Sequence, residues 1–517
     1  MKSSTSIRRK VCVIGLDGVG LRNLRNMLGV LPLNGINRVV SKGFVSSFIS
    51  LPPYTPCAWT SIFTGVNPGK HGIYGFYKVS RNGRITVNVS TSYDVKYPRI
   101  FEILGMSGLK SVVINVPLVY PVHELVSLKN LVVVSDWASP KQFIYPKQDE
   151  DRYREYLVEP PHKWASAVNV NSYVKAVEAF LEKRIDLYYE LLEKENYNLF
   201  IIVFSELDWL MHRIPDIVMG KQMNLVYKVL ALIDKFIGRV CEVCDLIVLV
   251  SDHGFTISRL FIGVNSILAR NGLMMSSYKL NIDKLFHRQQ PKKCDVGGKQ
   301  GFNYITSRII RNLFEVISVV TRKIVSSQAL NKLEAIVPIS TEIDYSSSKA
   351  IMLEPANWGI YVKEGYVDLV KKLFSNNRFV KKVLHREELF WGPHTQEAPD
   401  LILVPRDHVF FDARIHAEPM YLDYVSEHEP HAMIAFYGDY VLPATSMDNP
   451  INVSIYDLVP TILAYIGLPI PRDSDGKPRI EVFNVGFYNK KYDYLEKFKM
   501  LRKIKQLKIG KGGKVKS

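Results

Sequence analysis

The amino-acid sequence predicts an α/β fold with a mostly parallel sheet, on three observations. Short apolar runs recur along the chain, helix-period segments separate them, and each run ends in a polar, proline or glycine turn. The first run, Val11–Leu16, ends at Asp17-Gly18, and Ser111–Val116 ends at Pro117. Leu199–Phe204 ends at Ser205-Glu206, and Leu246–Val250 ends at Ser251-Asp252-His253-Gly254. Between them, Val174–Lys194 and Leu225–Val240 carry apolar residues at helical spacing. Function in such folds gathers at the carboxyl ends of the strands, where these acids and histidines stand.

Residues 281–345 depart from this pattern. A polar, basic stretch (LFHRQQPKKCDVGGKQG) precedes Ile309, Leu313, Ile317, Val320 and Ile324, which recur at helical spacing. They predict an inserted helical cap packed on the core rather than on a membrane. The α/β pattern resumes at Ile351–Tyr361 and runs to Ile466-Gly467-Leu468-Pro469. The expected division is 1–280 and 346–488 as two parts of one α/β core, 281–345 as the cap, and 489–517 as a basic tail.

At 517 residues, 47% hydrophobic and 23% charged, the chain has a folded globular composition, which excludes disorder, collagen and coiled coil. Its net charge of +17 is uneven, since residues 489–517 hold eleven Lys or Arg and two acids. The plain reading is a solvated tail, and the sharper one is docking to an anionic surface, nucleic acid or lipid headgroups. Five scattered cysteines make no disulfide framework. Cys241 and Cys244 form a C-x-x-C without the second pair a structural zinc site needs, and read as small buried residues. The amino terminus lacks a secretory apolar region with a cleavage site, and no apolar stretch is long enough for a membrane span. A soluble, cytoplasmic protein is the expectation.

A two-metal phosphoryl-transfer site needs oxygen and imidazole ligands for two cations and a nucleophile beside them. Five segments offer these groups. Asp17 follows a buried strand, although Asp-Gly alone is a common turn. Thr55 lies in Pro52-Pro53-Tyr54-Thr55-Pro56-Cys57-Ala58-Trp59-Thr60-Ser61-Ile62-Phe63-Thr64-Gly65, ahead of a helix; alone it reads as an N-cap. Asp208 and His212, four residues apart, share one helix face. Asp252 and His253 sit at a sharp turn after a strand. In His428-Glu429-Pro430-His431, either histidine could complete a ligand set on residue type alone.

Taken in order, these segments resemble the alkaline phosphatase superfamily, most closely its type I phosphodiesterase/nucleotide pyrophosphatase branch. Supporting stretches are Val113-Ile114-Asn115-Val116-Pro117, Trp358-Gly359-Ile360-Tyr361, Ile455-Tyr456-Asp457 and Gly467-Leu468-Pro469 before Asp475-Gly476. The resemblance implies a three-layer α/β/α sandwich with a small cap. It implies one metal held by Asp17, Asp252, His253 and Thr55, and another by Asp208, His212 and His428. Thr55 stands nine residues before Thr64-Gly65, as the family's nucleophile stands before its Thr-Gly pair. His428 stands four before Ala432, as the family's histidine stands before a strand-opening small residue. The implied reaction cleaves a small-molecule phosphodiester or pyrophosphate through a phosphothreonine on Thr55. Two divalent ions are implied, with zinc suiting the mixed ligands and manganese or iron as alternatives.

Departures bear on specificity. Family members carry an asparagine after the nucleophile, whereas none occurs here between Thr55 and Asn67. Thr55-Pro56-Cys57-Ala58-Trp59 lacks a sulfatase pattern, leaving Cys57 as a packed neighbour. Tyr54, Trp59, Trp209 and Trp358 read as core residues ahead of base-stacking ones. The competing readings are a phosphomonoesterase or phosphoryl transferase of the same superfamily, for whose mutases serine is the usual nucleophile, and a non-catalytic anion-binding protein.

Overall fold

Five parallel strands make the centre of the computed structural model, which describes residues 9–80, 86–126, 128–161, 169–280, 339–416, 418–443, 453–487 and 490–511. The main sheet comprises β1 (Val11–Leu16), β2 (Phe44–Ile49), β3 (Ser111–Ile114), β4 (Leu131–Val134), β5 (Ile144–Tyr145), β6 (Leu199–Phe204), β7 (Leu246–Val250) and β8 (His431–Gly438). Its order is β2-β8-β7-β1-β6-β3-β4-β5, with β7, β1, β6, β3 and β4 mutually parallel. β5 closes one edge antiparallel, and β8 and β2 close the other.

The central strands are apolar throughout because both sheet faces are covered. Cys12, Ile14 and Leu16 of β1 point toward helices Val170–Lys194 and Tyr227–Val243. Val11 and Val13 point the other way, toward helices Thr55–Thr64, Ile100–Met106 and Leu458–Tyr465. The result is a three-layer α/β/α sandwich with one core on each side of the sheet.

Of the described residues after 345, only β8 enters this sheet. Ala350–Ile351, Gly359–Val362, Leu401–Pro405 and Val380–His385 form a separate four-stranded sheet with its own apolar core. The residues from Ile309 to Ile324 expected to form the cap helix lie outside the described residues. On either side of that segment, Ser276–Leu280 pairs antiparallel with Ile339–Ile343, Ser276 opposite Ile343.

Two further features differ from the sequence reading. Cys244 is bonded to Cys12, at a Cα separation of 6.2 Å, because β1 and β7 are neighbours and Cys244 stands just before β7. Cys241 remains a buried free thiol. The basic tail forms a helix, Tyr494–Lys511, with Tyr494 and Phe498 buried against the body rather than solvated. Among the described residues no helix is long and apolar enough to cross a membrane.

Helices Asn34–Lys42 and Tyr227–Val243 meet closely at Gly35 and Gly238. A Cβ on Gly35 would lie 2.2 Å from the Asp234 carbonyl oxygen and 2.7 Å from the Gly238 nitrogen, whereas one on Gly238 meets only the Gly35 Cα at 4.0 Å. Gly35→Ala therefore lowers stability by about 1–3 kcal/mol through overpacking. Gly238→Ala raises it by roughly 0.4–1 kcal/mol through reduced unfolded-state freedom. Urea midpoints of the two variants moving in opposite directions is the expected result.

Candidate metal centre

The three neighbouring strands β6, β1 and β7 deliver their carboxyl-end loops to one place. Asp17 follows β1, and Gly18 turns the chain at φ +76°, where a Cβ would strike the Phe255 ring at 2.5 Å. β6 leads through Ser205 into helix Glu206–Arg213, which carries Asp208 and His212 one turn apart. β7 ends at Val250, and Asp252 and His253 follow before the strand Gly254–Gly263. Thr55 is the first residue of its helix, with Tyr54 at the cap, so the N-cap reading shifts by one residue.

His428 arrives from a distant part of the chain. Strand Met420–Glu429 pairs antiparallel with Gly254–Gly263, placing His428 opposite Phe255. Its ring stacks on that of His253 at a centroid distance of 3.6 Å. His431 instead opens β8 with its side chain 64% exposed and 2.9 Å from Glu429. The ladder register thus chooses between the two histidines, which residue type left equal.

Every group expected in the cluster lies within reach of another. His253 Nε2 is 3.3 Å from Asp252 Oδ2, 3.7 Å from Asp17 Oδ1, 4.0 Å from Asp208 Oδ1 and 3.4 Å from Thr55 Oγ1. His428 Nε2 is 3.3 Å from Asp208 Oδ1 and 2.9 Å from His212 Nε2, and His212 Nε2 is 3.6 Å from Asp208 Oδ1. Two groups of donor atoms converge, Asp208 with His212 and His428, and Asp17 with Asp208 and His253. Asp208 stands in both, whereas the sequence reading gave it to the second metal alone.

The donor atoms point at one another with too few protons between them. His253 Nδ1 lies 3.1 Å from the Gly254 carbonyl oxygen and His428 Nδ1 lies 2.9 Å from that of Pro53. A carbonyl only accepts, so each Nδ1 carries a proton, and in a neutral ring Nε2 presents a lone pair to the cluster. Asp17 Oδ1, Asp208 Oδ1 and Asp252 Oδ2 are buried with no hydrogen-bond partner among the described residues. Converging lone pairs and buried unsatisfied carboxylate oxygens fit divalent cations.

The electrostatics follow from that crowding. Burial, then the Asp252 and Asp208 charges, hold the Asp17 carboxyl well above the usual range. Burial likewise pushes Asp252 up to about 8. Burial also acts upward on Asp208, but without a cation the charges that His212 and His428 carry when protonated, with a hydrogen bond from His428, outweigh it and bring the group to about 2. Burial, then His428, lowers His253 well below the ordinary imidazole value, which keeps the ring neutral.

Some supporting residues were not legible as such. Ser205 Oγ donates to Asp17 Oδ2 at 3.0 Å, and the Gly18 N–H donates to Asp252 Oδ1 at 3.2 Å. The Tyr54 hydroxyl donates to buried Glu354 at 2.6 Å, fixing the residue before Thr55 from the separate small sheet's side of the molecule. Nothing in the local sequence around Glu354 marks it. Trp59, Trp209 and Trp358 are core residues, each in a different apolar core, and Cys57 is buried in the helix of Thr55.

The sequence profile of the type I phosphodiesterase/nucleotide pyrophosphatase family matches residues 11–433, which spans every strand loop of the cluster. The chain belongs to that family. No curated protein matches the sequence. Among solved structures, the alkaline phosphatase PafA is 12% identical with a TM-score of 0.54, covering 92% of this chain and 99% of that one. Human ectonucleotide pyrophosphatase/phosphodiesterase 5 is 14% identical with a TM-score of 0.51, covering 92% and 100%. Phosphonoacetate hydrolase from Sinorhizobium meliloti 1021, in complex with phosphonoacetate, is 15% identical with a TM-score of 0.51, covering 87% and 94%. These likenesses establish the alkaline-phosphatase-like fold for this member of the family.

The crowded carboxyls give a pH dependence of known sign. Asp252 titrates near 8 in the folded chain, against about 3.9 when unfolded, so the folded state binds the extra proton. Asp252's contribution to the stability of chelator-treated protein is therefore lost as pH rises from about 4 to about 8, while neutral His253 contributes a gain as pH rises toward about 6.5. Urea unfolding of the parent and of Asp252→Asn at both ends of that window isolates the Asp252 contribution, and the change in stability from about pH 4 to about pH 8 is expected to be less negative in the variant. A larger loss in the variant contradicts this account of the cluster.

Proposed function

We propose that this family member is a metal-dependent hydrolase of phosphodiester or pyrophosphate bonds, with Thr55 as nucleophile and a phosphothreonine intermediate. The observation that carries the reading is the meeting of three aspartates and three histidines beside the Thr55 hydroxyl. Family membership supports phosphoester hydrolysis, and the donor set supports metal dependence. We assign Asp17, Asp252, His253 and Thr55 to one cation, and Asp208, His212 and His428 to the other, with Asp208 near enough to serve both. Mixed carboxylate and imidazole donors suit zinc, with manganese or iron as alternatives.

The chain's own residues define the course of the reaction. Two bound cations would supply Lewis acidity that lowers the proton affinity of the threonine hydroxyl and of water and neutralises phosphoryl charge. Thr55 Oγ1 attacks phosphorus in line, forming the P–O bond of the phosphothreonine while the bond to the leaving alcohol or phosphate breaks. The first turn of helix Thr55–Thr64 can offer the Thr55 and Cys57 N–H groups to phosphoryl oxygens, since Pro56 has none and the Ala58 N–H donates to the Tyr54 carbonyl. His253 and His428 are held by backbone carbonyls, so their Nε2 atoms keep their aim through the cycle. Water then attacks phosphorus opposite Thr55 Oγ1, the Oγ1–P bond breaks, the phosphate product leaves with the water oxygen, and a water proton restores the Thr55 hydroxyl.

The test is hydrolysis of bis-p-nitrophenyl phosphate and p-nitrophenyl phosphate by chelated protein reloaded with zinc or manganese. Turnover should require the added metal, and Thr55→Ala should lower kcat/KM by roughly three orders of magnitude or more. Faster release from the diester identifies a phosphodiesterase, and faster release from the monoester selects the phosphomonoesterase reading. Thr55→Ala with unchanged activity rules out the phosphothreonine.

A further inference from the structure

The C-terminal helix Tyr494–Lys511 carries apolar residues and cations on both its inner and its outer face. Its inner face is anchored by buried Tyr494 and Phe498 and by cations that donate to backbone carbonyls of the body. Lys497 Nζ reaches the Met106 oxygen at 2.9 Å, Arg502 reaches those of Val95 and Tyr93 at 2.7 and 2.9 Å, and Lys505 reaches that of Leu125 at 2.7 Å. Arg502 also lies over the Tyr93 ring at 5.1 Å. These bonds fix how the helix is rotated about its own axis.

That rotation turns Met500, Ile504 and Leu507 outward. They are 55%, 42% and 57% exposed, and their spacing of four and three residues puts them in one stripe. Lys499 and Lys503 stand exposed beside the stripe. The helix has one acid, Glu496, in its first turn, and Lys508, Lys511, Lys514 and Lys516 follow in the sequence. A single exposed apolar residue is ordinary, whereas three in one helical stripe beside lysines make a contiguous apolar patch rimmed by charge.

We propose that this outer face docks on a membrane surface rich in anionic lipid headgroups, the helix lying in the plane of the interface. Apolar side chains reach the acyl boundary while flanking lysines meet headgroup charge. The net charge of +9 over residues 489–517 complements such a surface. The same charge opposes a second copy, which would bring two of these segments face to face. Single-stranded nucleic acid is met by cations and flat rings, and Met500, Ile504 and Leu507 provide no ring for stacking. The attachment proposed is peripheral; among the described residues no helix is long and apolar enough to cross the bilayer.

The experiment is flotation of the full-length protein at low salt with vesicles of equimolar phosphatidylcholine and phosphatidylglycerol, against vesicles of phosphatidylcholine alone. Binding is expected to the anionic vesicles only and to be lost at high salt. The combined variant Met500→Ser, Ile504→Ser, Leu507→Ser should weaken it by about tenfold or more, as should Lys499→Gln with Lys503→Gln. Both variants should keep the thermal midpoint and the esterase rate of the parent on soluble substrate, since none of these residues touches the cluster. The proposal is overturned if neither vesicle binds, if both bind equally, or if the serine variant binds as the parent does. It is also overturned if the stripe supports a concentration-dependent dimer, or retention on single-stranded DNA, in place of vesicle binding.

Discussion

Asp17, Asp208 and Asp252 are buried around one imidazole, His253, and their outward oxygens meet no donor among the described residues. A protein interior tolerates such a group only when a proton or a cation sits between the charges. Asp17 and Asp252 show the strain of that arrangement as carboxyls held high, while Asp208, beside His212 and His428, is held low. The surrounding architecture follows from holding these groups together. Parallel strands fix three loops side by side, a serine and a glycine N–H hold one oxygen each of Asp17 and Asp252, and backbone carbonyls orient the rings.

The sheet alone does not complete the cluster. His428 comes from a strand paired to Gly254–Gly263, outside the main sheet, and Thr55 from a helix entered after the edge strand β2. The helix of Thr55 is buried on all sides, with Trp59 stacked on Phe63 at 5.5 Å. Such packing leaves the hydroxyl little freedom to leave the histidine it faces. The small sheet contributes at a distance, through Glu354 gripping Tyr54 and the Phe76 N–H. Precise placement of a nucleophile beside a rigid donor set is what phosphoryl transfer demands of a protein.

Much of this was legible where local pattern determines structure. Apolar runs ending in Asp17, Ser205 and Asp252-His253 declared a parallel sheet and the edge at which its acids gather. The spacing of Asp208 and His212 declared a shared helix face. Long-range register was not legible from residue type: only the resemblance, through the spacing to Ala432, named His428 over His431, and it is the ladder that sets His428 opposite Phe255, far away in sequence. The bond between Cys12 and Cys244 depends on β1 lying beside β7, which no spacing of cysteines encodes. The tail misled for a related reason, since its cations suggested solvent while Lys497, Arg502 and Lys505 donate to carbonyls of the body. The double membership of Asp208 likewise emerges only in three dimensions.

Anomalous diffraction at the zinc edge from crystals of zinc-loaded protein tests the central claim most directly. The account predicts two peaks in the cluster, one among Asp208, His212 and His428 and one among Asp17, Asp252, His253 and the Thr55 hydroxyl. Zinc bound elsewhere on the chain with no peak in the cluster would contradict it. A single peak remote from Thr55 would contradict the place given to the threonine.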